Sequence, residues 1–406
     1  MPWMEKDVDQ QRVKFVVRAT SGQEQMAALC REFGVSRPTG YVWRKRFQQA
    51  GSVAGVVERS RRPEHCPEQT AAPLQEQLVE LRRRYGWGAK KLQVLLREQG
   101  AELTVITINR ILKRRGLVSK WNSHAPALQR FQRSAPNQLW QMDGKGKYRL
   151  PEGSCYPLSI LDDHSRFVVG LYGLSAWTAH WVQHCLVQTF ERYGLPEALL
   201  SDHDPLWWSN NSGHGLTWLS VWLIEQGIRL YYGRVHHPQT QGKVERFHRT
   251  LEEALRHRGK PQRLEEWPSA LREVEELYNR VRPHEALGMQ RPAEHYRAST
   301  RAYQQQPREW EYPPGSTVRR LNPAGCLSWD GQRWFVCEAL AGRLVRVESV
   351  GSLLLVSYRH MYVREVDRAR DRTQPLVVPR EVDRALRSPS GLPTRPVDTQ
   401  KPEDPV

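Results

Sequence analysis

Cysteine is scarce and scattered: there are six, none in a Cys-x-x-Cys pair, so neither a structural zinc site nor a disulfide framework is supported. A phosphate-binding Gly-x-x-x-x-Gly-Lys-Ser/Thr loop is absent, which excludes an ATPase of that class and a nucleotide cofactor held that way. No apolar stretch approaches the roughly 20 residues that span a bilayer, and no signal-peptide pattern stands at the front. A reducing, cytoplasmic setting without a membrane is the resulting expectation. Acidic residues are also in deficit, with 44 Asp and Glu against 61 Lys and Arg, a net charge of +17. A field of that sign attracts polyanions, and the binding should be strongly salt-dependent.

The excess is concentrated toward the front, where residues 1–130 hold 24 basic and 12 acidic side chains. There it lies on two helix-turn-helix patterns. In the first, an amphipathic helix over Gln25–Phe33 closes at Gly34-Val35, and Ser36 can cap the next helix. That second helix carries Arg37, Thr39, Tyr41, Trp43, Arg44, Lys45 and Arg46. Polar and aromatic residues early, with basic ones later, suit a helix in a major groove flanked by phosphates. In the second pattern a helix runs to Arg82-Arg83-Arg84, Gly86-Trp87-Gly88 breaks it, and Ala89–Arg97 forms another. Thr104 then caps a helix bearing Thr107, Asn109, Arg110, Lys113, Arg114 and Arg115. Between the two, Arg59-Ser60-Arg61-Arg62-Pro63 reads as a basic linker. Double-stranded DNA is the expected partner.

The densest information lies at residues 236–251, His-His-Pro-Gln-Thr-Gln-Gly-Lys-Val-Glu-Arg-Phe-His-Arg-Thr-Leu. A loop runs into Gln241-Gly242, and an amphipathic helix follows with Val244, Phe247, Leu251 and Ala254 at helical spacing. Glu245 falls in its first turn on another face, beside Arg249 and Glu252. Periodicity alone gives Glu245 no special role. The string, however, closely resembles the last acidic motif of integrase-type insertion-sequence transposases. These belong to the superfamily of retroviral integrases, polynucleotidyl transferases with a ribonuclease H-like core and three metal-binding carboxylates.

The resemblance implies two upstream acids at strand ends. Asp143 ends the alternating run Leu139-Trp140-Gln141-Met142, and Asp202 closes the apolar run Ala198-Leu199-Leu200-Ser201. Pro157–Leu161 and Phe167–Tyr172 read as a hairpin around Asp162-Asp163-His164-Ser165, and Trp177–Tyr193 as a helix. An apolar helix over Leu216–Glu225, a strand over Ile228–Tyr232 and the helix of Glu245 follow. The order of three strands, helix, strand, helix, strand, helix resembles the ribonuclease H-like core, with its mixed five-stranded sheet. By resemblance Asp143, Asp202 and Glu245 are the catalytic acids and hold two divalent ions, Mg2+ with Mn2+ as substitute. Asp162, Asp163 and Asp204 are decoys. Lys243 and Arg246, flanking Glu245, are expected to touch DNA phosphates. Tyr278-Asn279-Arg280-Val281-Arg282-Pro283-His284-Glu285-Ala286-Leu287 resembles the family's post-catalytic signature and reads as structural.

The acids stand 59 and 43 residues apart, the second interval lengthened by Pro205-Leu206-Trp207-Trp208 and a Ser-Asn-Gly-rich loop over 209–215. One feature departs from the family. Asn-Gly usually follows the second aspartate, whereas this chain has His203-Asp204. That pair is less comfortable in a turn needing positive φ, and Asp204 adds a charge beside the acid. It favours the alternative of a catalytically weakened or domesticated transposase that acts as a DNA-binding protein.

Expected boundaries fall near residues 64, 126, 300 and 372: a helix-turn-helix domain over 1–64, a second, winged-helix-like one over 65–126, and the integrase core over 127–300. A linker and small β-barrel over 301–372 and a disordered tail over 373–406 follow, the barrel read from short alternating runs between Thr317 and Val366. The functional expectation is a bacterial-type, nucleoid-associated DNA transposase that cuts 3′ ends and joins them to target DNA. Holding two ends requires at least a dimer on DNA.

Overall fold

A computed structural model describes residues 8–57, 69–118, 132–209, 215–233, 242–307 and 309–380. The chain divides into two units, residues 1–71 and 72–406.

In the first unit, α1 (Val8–Ser21), α2 (Met26–Glu32) and α3 (Arg37–Ala50) pack around Phe15, Val16, Leu29, Phe33 and Trp43. Ser36 caps α3 as its sequence predicts, accepting the Thr39 N–H at 3.3 Å. Gly40 allows α3 to cross closely, since a Cβ there would stand 2.7 Å from Cys30 Sγ and 2.8 Å from Phe15 Cζ. This is a helix-turn-helix module.

The second unit opens with α4 (Ala72–Tyr85), α5 (Ala89–Glu98) and α6 (Val105–Arg114), closed on Leu78, Leu92, Leu96, Ile108 and Ile111. Thr104 caps α6 by accepting the Thr107 N–H at 3.2 Å. Arg82 is a brace. Its guanidinium donates to the carbonyls of Trp87 at 2.6 Å and Leu117 at 3.1 Å, tying both ends of the module together.

Next comes the α/β core. Its strands are β1 (Trp140–Gly144), β2 (Tyr148–Leu150), β3 (Gly153–Asp162), β4 (Val168–Leu174) and β5 (Ala198–Ser201). A short pair, β6 (Trp208–Ser209) with β7 (Gly215–Leu216), precedes β8 (Arg229–Tyr232). The sheet order is β4-β3-β1-β5-β8, with β1 antiparallel to β3 and parallel to β5. That is the mixed sheet of a ribonuclease H-like fold, with one correction: there are six strands, not five. Strand β3 is ten residues long, and its outer half pairs with β2 through Tyr148, Arg149 and Leu150.

Helices α7 (Ala179–Tyr193) and α8 (Trp218–Glu225) share a core with Trp140, Met142, Leu158 and Ile160. Helices α9 (Gly242–Arg258) and α10 (Trp267–Glu276) pack with Leu161, Val168 and Leu171 in a second core. The alternation in β1 thus separates the two faces, as its sequence predicts.

Helix α10 buries a carboxyl. Glu275 is 8% exposed, and burial lifts it to about 7, opposed by Arg192 at 3.6 Å. The folded state therefore holds this proton more tightly than the unfolded chain. The contribution is fully present below the ordinary glutamate range and is lost as pH rises toward 7, on the order of 3 kcal/mol at most. Glu275→Gln should unfold at a higher temperature than the parent at pH 8, the gap closing near pH 5. Equal midpoints at both pH values would refute this reading.

Beyond the core, β9 (Val318–Arg320), β12 (Leu344–Val350), β13 (Leu353–Tyr358), β14 (Met361–Asp367) and β15 (Arg372–Pro379) form an antiparallel sheet in the order β15-β14-β13-β12-β9. Among the described residues, strands β10 (Cys326–Trp329) and β11 (Gln332–Phe335) pair only with each other. The expected closed barrel is therefore an open sheet with a separate hairpin. Its apolar residues, among them Leu340, Val345, Val356 and Met361, share one core with Leu219, Leu223 and Ile224 of α8. Polar contacts seal the junction: Tyr358 Oη donates to Glu225 at 2.7 Å, Arg343 pairs with it at 3.1 Å, and Arg359 donates to its carbonyl at 2.7 Å. The expected boundary at residue 372 also needs correction. Residues 372–379 are strand β15, paired with β14 through Thr373, Gln374 and Val378. Residues 381–406 lie outside the described residues, as do 234–241, 210–214 and the basic linker over Arg59–Pro63.

Candidate active site

Two strands and a helix carry the predicted acids toward one end of the sheet. Asp143 lies on β1 opposite Ser159 of β3, Asp202 directly follows β5, and Glu245 stands exposed in the first turn of α9. Asp143 is the most enclosed, its side chain 20% exposed. Burial, then the negative charge of Asp202, with Glu245 and Asp204 adding to it, pushes its carboxyl up to about 7. Asp202 is also raised, first by burial. Such shifts arise when carboxylates share a site without a compensating cation. Among the described residues no lysine or arginine pairs with any of the three. His248, one turn along α9 from Glu245, places Nδ1 3.6 Å from Asp143 Oδ2. Burial and Lys145 push its imidazole down to about 4, so it is neutral at pH 7, and Nε2 shares a hydrogen bond with the buried Ser159 Oγ at 3.1 Å.

Hard oxygen donors, surplus negative charge and partial burial are what a divalent ion requires. The donor set therefore fits such an ion. Among the described residues, no three or more His, Cys, Asp or Glu side chains stand together closely enough to hold a metal ion by themselves. Magnesium sites of this type are completed by waters and by the phosphate itself.

The decoy acids have structural employment. Asp162 accepts the backbone N–H groups of Asn137 at 2.7 Å and Ser165 at 2.8 Å, and the Ser165 hydroxyl at 2.6 Å. Asp163 accepts the Arg133 N–H at 2.7 Å, the Gln141 amide at 2.8 Å and the Lys243 ammonium. Asp204 accepts the Leu206 N–H at 2.9 Å and the Trp177 indole N–H at 3.0 Å.

The contact with Asp163 corrects one expectation. Lys243 faces inward, with its ammonium also 3.0 Å from the Asp163 carbonyl, and burial pushes it down to about 8. A fully buried carboxylate attracts the nearest ammonium more strongly than solvent does, so Lys243 anchors the first turn of α9. Arg246 remains exposed beside Glu245. The post-catalytic signature is structural: Asn279 both donates to and accepts from the backbone of Val168 at 2.9 Å, and the Tyr278 ring lies 4.8 Å from Phe247 of α9.

On the candidate DNA-reading helices, α3 exposes Arg37, Tyr41 and Lys45, with the Arg44 guanidinium 5.3 Å from the Tyr41 ring. Thr39 is partly spent on the cap, and Arg46 stacks on the buried Trp43 ring at 4.9 Å. Helix α6 exposes Asn109, Arg110, Lys113 and Arg114, while Thr107 shares in its cap. Sequence reasoning passed over His248, Ser159, Trp177 and Trp207. For His248 the signal was present, since position i+3 from Glu245 shares its helix face.

Comparisons with known proteins agree with this architecture. Models of the integrase core domain match residues 133–238 and 226–292, a homeodomain-like domain matches 39–112, and a helix-turn-helix domain matches 11–64. The Gag-Pol polyprotein of baboon endogenous virus (strain M7) is 25% identical over 217 residues, 51% of this chain and 12% of that polyprotein. The Pol polyprotein of feline endogenous virus ECE1 is 24% identical over 218 residues, again 51% of this chain and 20% of that polyprotein. The chain thus spans a fifth or less of the length of these relatives. Among solved structures, the HTLV-2 integrase catalytic core domain in complex with magnesium is 15% identical, covering 40% of this chain and 97% of that one, with a TM-score of 0.31. A BIV integrase catalytic core domain is 26% identical, covering 39% and 92%, with a TM-score of 0.30. Residues 133–292 thus match the integrase core domain and are preceded by segments that match homeodomain-like and helix-turn-helix domains, in keeping with the integrase-type transposases that the sequence resembles.

Proposed function

We propose that this chain is a DNA transposase that binds the ends of its element, cleaves at their 3′ ends and joins them to target DNA. The observation that carries the reading is that Asp143 feels the negative charges of both Asp202 and Glu245, on separate elements, while among the described residues no lysine or arginine pairs with it. Asp143, Asp202 and Glu245 would hold the divalent ions, Mg2+ or Mn2+. When bound, two ions lower the pKa of the attacking water and neutralise charge on the oxygens of an in-line displacement. The chain's residues orient the phosphodiester, supply negative ligands and keep the site partly dry. In the first step water cuts one phosphodiester and leaves a 3′-hydroxyl. That hydroxyl then attacks a target phosphodiester, forming one P–O bond as another breaks. One phosphodiester replaces another, so no nucleotide cofactor is needed.

Purified protein, Mg2+ and a labelled duplex carrying the element's end constitute the test. Joined product is expected, in an assembly of at least two protomers. Cut but unjoined DNA would reduce the protein to a nuclease. Specific end binding without cutting would favour the inactive, DNA-binding descendant.

The exposed basic face of α6 yields a second expectation. Each phosphate contact releases counterions, so affinity should fall steeply with salt. Lys113→Ala should weaken binding similarly across sequences and lower the slope of log affinity against log salt by about 1. Asn109→Ala should instead relax sequence preference with little change in slope. Fluorescence anisotropy over a salt series separates the two, and an unchanged slope for Lys113→Ala would remove α6 from the DNA interface.

A further inference from the structure

The turn after Asp202 carries His203-Asp204 where the resembled family has Asn-Gly, and it is built differently. Asn-Gly turns sharply because both residues tolerate positive φ. Here neither His203 nor Asp204 has a positive φ. Side chains hold the turn instead. Besides accepting the Leu206 N–H, Asp204 takes the backbone N–H groups of Trp207 and Trp208 on its carbonyl at 3.1 and 2.9 Å. Its own N–H donates to Asp202 Oδ1 at 3.1 Å. The buried Trp207 aims its indole N–H at that same oxygen at 3.1 Å, and at the Asp202 carbonyl at 2.9 Å.

This arrangement extends to the first acid. Asp204 Oδ2 accepts the indole N–H of Trp177, whose ring meets Trp207 edge to face at 5.9 Å. The Trp177 ring also covers Gly144, the residue after Asp143: a Cβ there would stand 2.7 Å from it. A continuous path of packing and hydrogen bonds therefore joins the end of β1 to the carboxylate of Asp202. Two donors converge on Oδ1 of Asp202, while Oδ2 receives none among the described residues. A carboxylate gripped by one oxygen has its rotation fixed and its other oxygen presented. Outer-shell hydrogen bonds of this kind set ligand orientation at metal sites.

We infer that Trp177, Asp204 and Trp207 are positioning residues that fix the Asp202 carboxylate, so that His203-Asp204 replaces the Asn-Gly turn rather than marking its decay. The inference rests on the reading of Asp202 as one of three metal-holding acids. It makes Asp204 part of the support, not a fourth ligand, because both its oxygens already accept hydrogen bonds. It also explains why a glycine follows Asp143, since any larger residue would displace Trp177.

The experiment uses the whole chain on its end DNA. It measures the Mn2+ concentration for half-maximal joining, bound Mn2+ by electron paramagnetic resonance, end affinity and the unfolding midpoint. Trp207→Phe and Asp204→Asn should each raise the Mn2+ requirement about tenfold or more. Joining should recover at saturating Mn2+, with end affinity unchanged. His203→Asn with Asp204→Gly should behave likewise. An unchanged Mn2+ requirement in the two single variants, or a gain of activity in the Asn-Gly variant, overturns the inference. Should Trp207→Phe lower the unfolding midpoint severely, Asp204→Asn, nearly isosteric, decides alone. Asp202→Asn is run in parallel. If it leaves Mn2+ binding and joining at the parental level, the reading of the acids falls and this inference with it. If it abolishes both while the positioning variants are silent, only the inference falls.

Discussion

Glu245→Gln should reduce strand transfer at least about a thousandfold, a loss of some 4 kcal/mol of transition-state stabilisation. The substitution keeps the volume and removes one negative charge and one anionic oxygen donor. Because Glu245 is exposed at the start of α9, the fold has little stake in it, and the unfolding midpoint should scarcely move. End binding should persist for the same reason. Asp162→Asn provides the contrast, because that carboxylate is buried and accepts three hydrogen bonds, two from Ser165 in the β3–β4 turn and one from the Asn137 N–H ahead of β1. It should lower stability before it touches chemistry. Joining by Glu245→Gln within tenfold of the parent would remove this residue from the reaction, whatever the sequence string resembles.

Lys243→Ala should destabilise the second unit by about 3–5 kcal/mol, the usual consequence of removing one partner of a buried ion pair. Asp163 is fully buried and, among the described residues, would keep the Arg133 N–H and the Gln141 amide as donors to its carboxylate. The first turn of α9 would lose its anchor on the β3–β4 turn, and Glu245 its fixed approach to Asp143. Lys243→Met with Asp163→Asn should restore much of the stability, since neither charge is then stranded. Chemical denaturation of the single and double variants measures the coupling. Additive effects would mean that Lys243 acts elsewhere, on DNA for instance, in which case the single variant should weaken end binding without loss of stability.

These two residues, two positions apart, also show what was legible in the chain. Glu245 is singled out by the string around it, and the alternation of Trp140 and Met142 with Gln141 and Asp143 places β1 with its faces the right way round. The helix caps at Ser36 and Thr104 were equally local, and both are made. Lys243 was not legible. Its partner lies 80 residues earlier, and a lysine beside an active centre reads as a phosphate ligand until a buried carboxylate claims it. His248 illustrates the same limit in milder form, because its tie to Ser159 crosses from helix to strand. The short strand β2 and the register of β15 depend on pairings that no local pattern announces. Local chemistry is written in the string; partnership across the fold is not.

Helix α8 carries a consequence for how the protein came to be assembled. Leu219, Val221, Leu223 and Ile224 are almost wholly shielded, the helix sharing one core with the α/β sheet and the strands beyond residue 317. Most of this apolar helix is withheld from water, although Trp218 at its start stands 45% exposed. The α/β core and the C-terminal sheet are therefore obligate companions rather than interchangeable cassettes. A chain ending near residue 300 would expose a sticky surface and favour aggregation. Melting of either sheet should carry the other with it. Any lineage that shuffled its C-terminal segment for a new one would have had to redesign α8 at the same time.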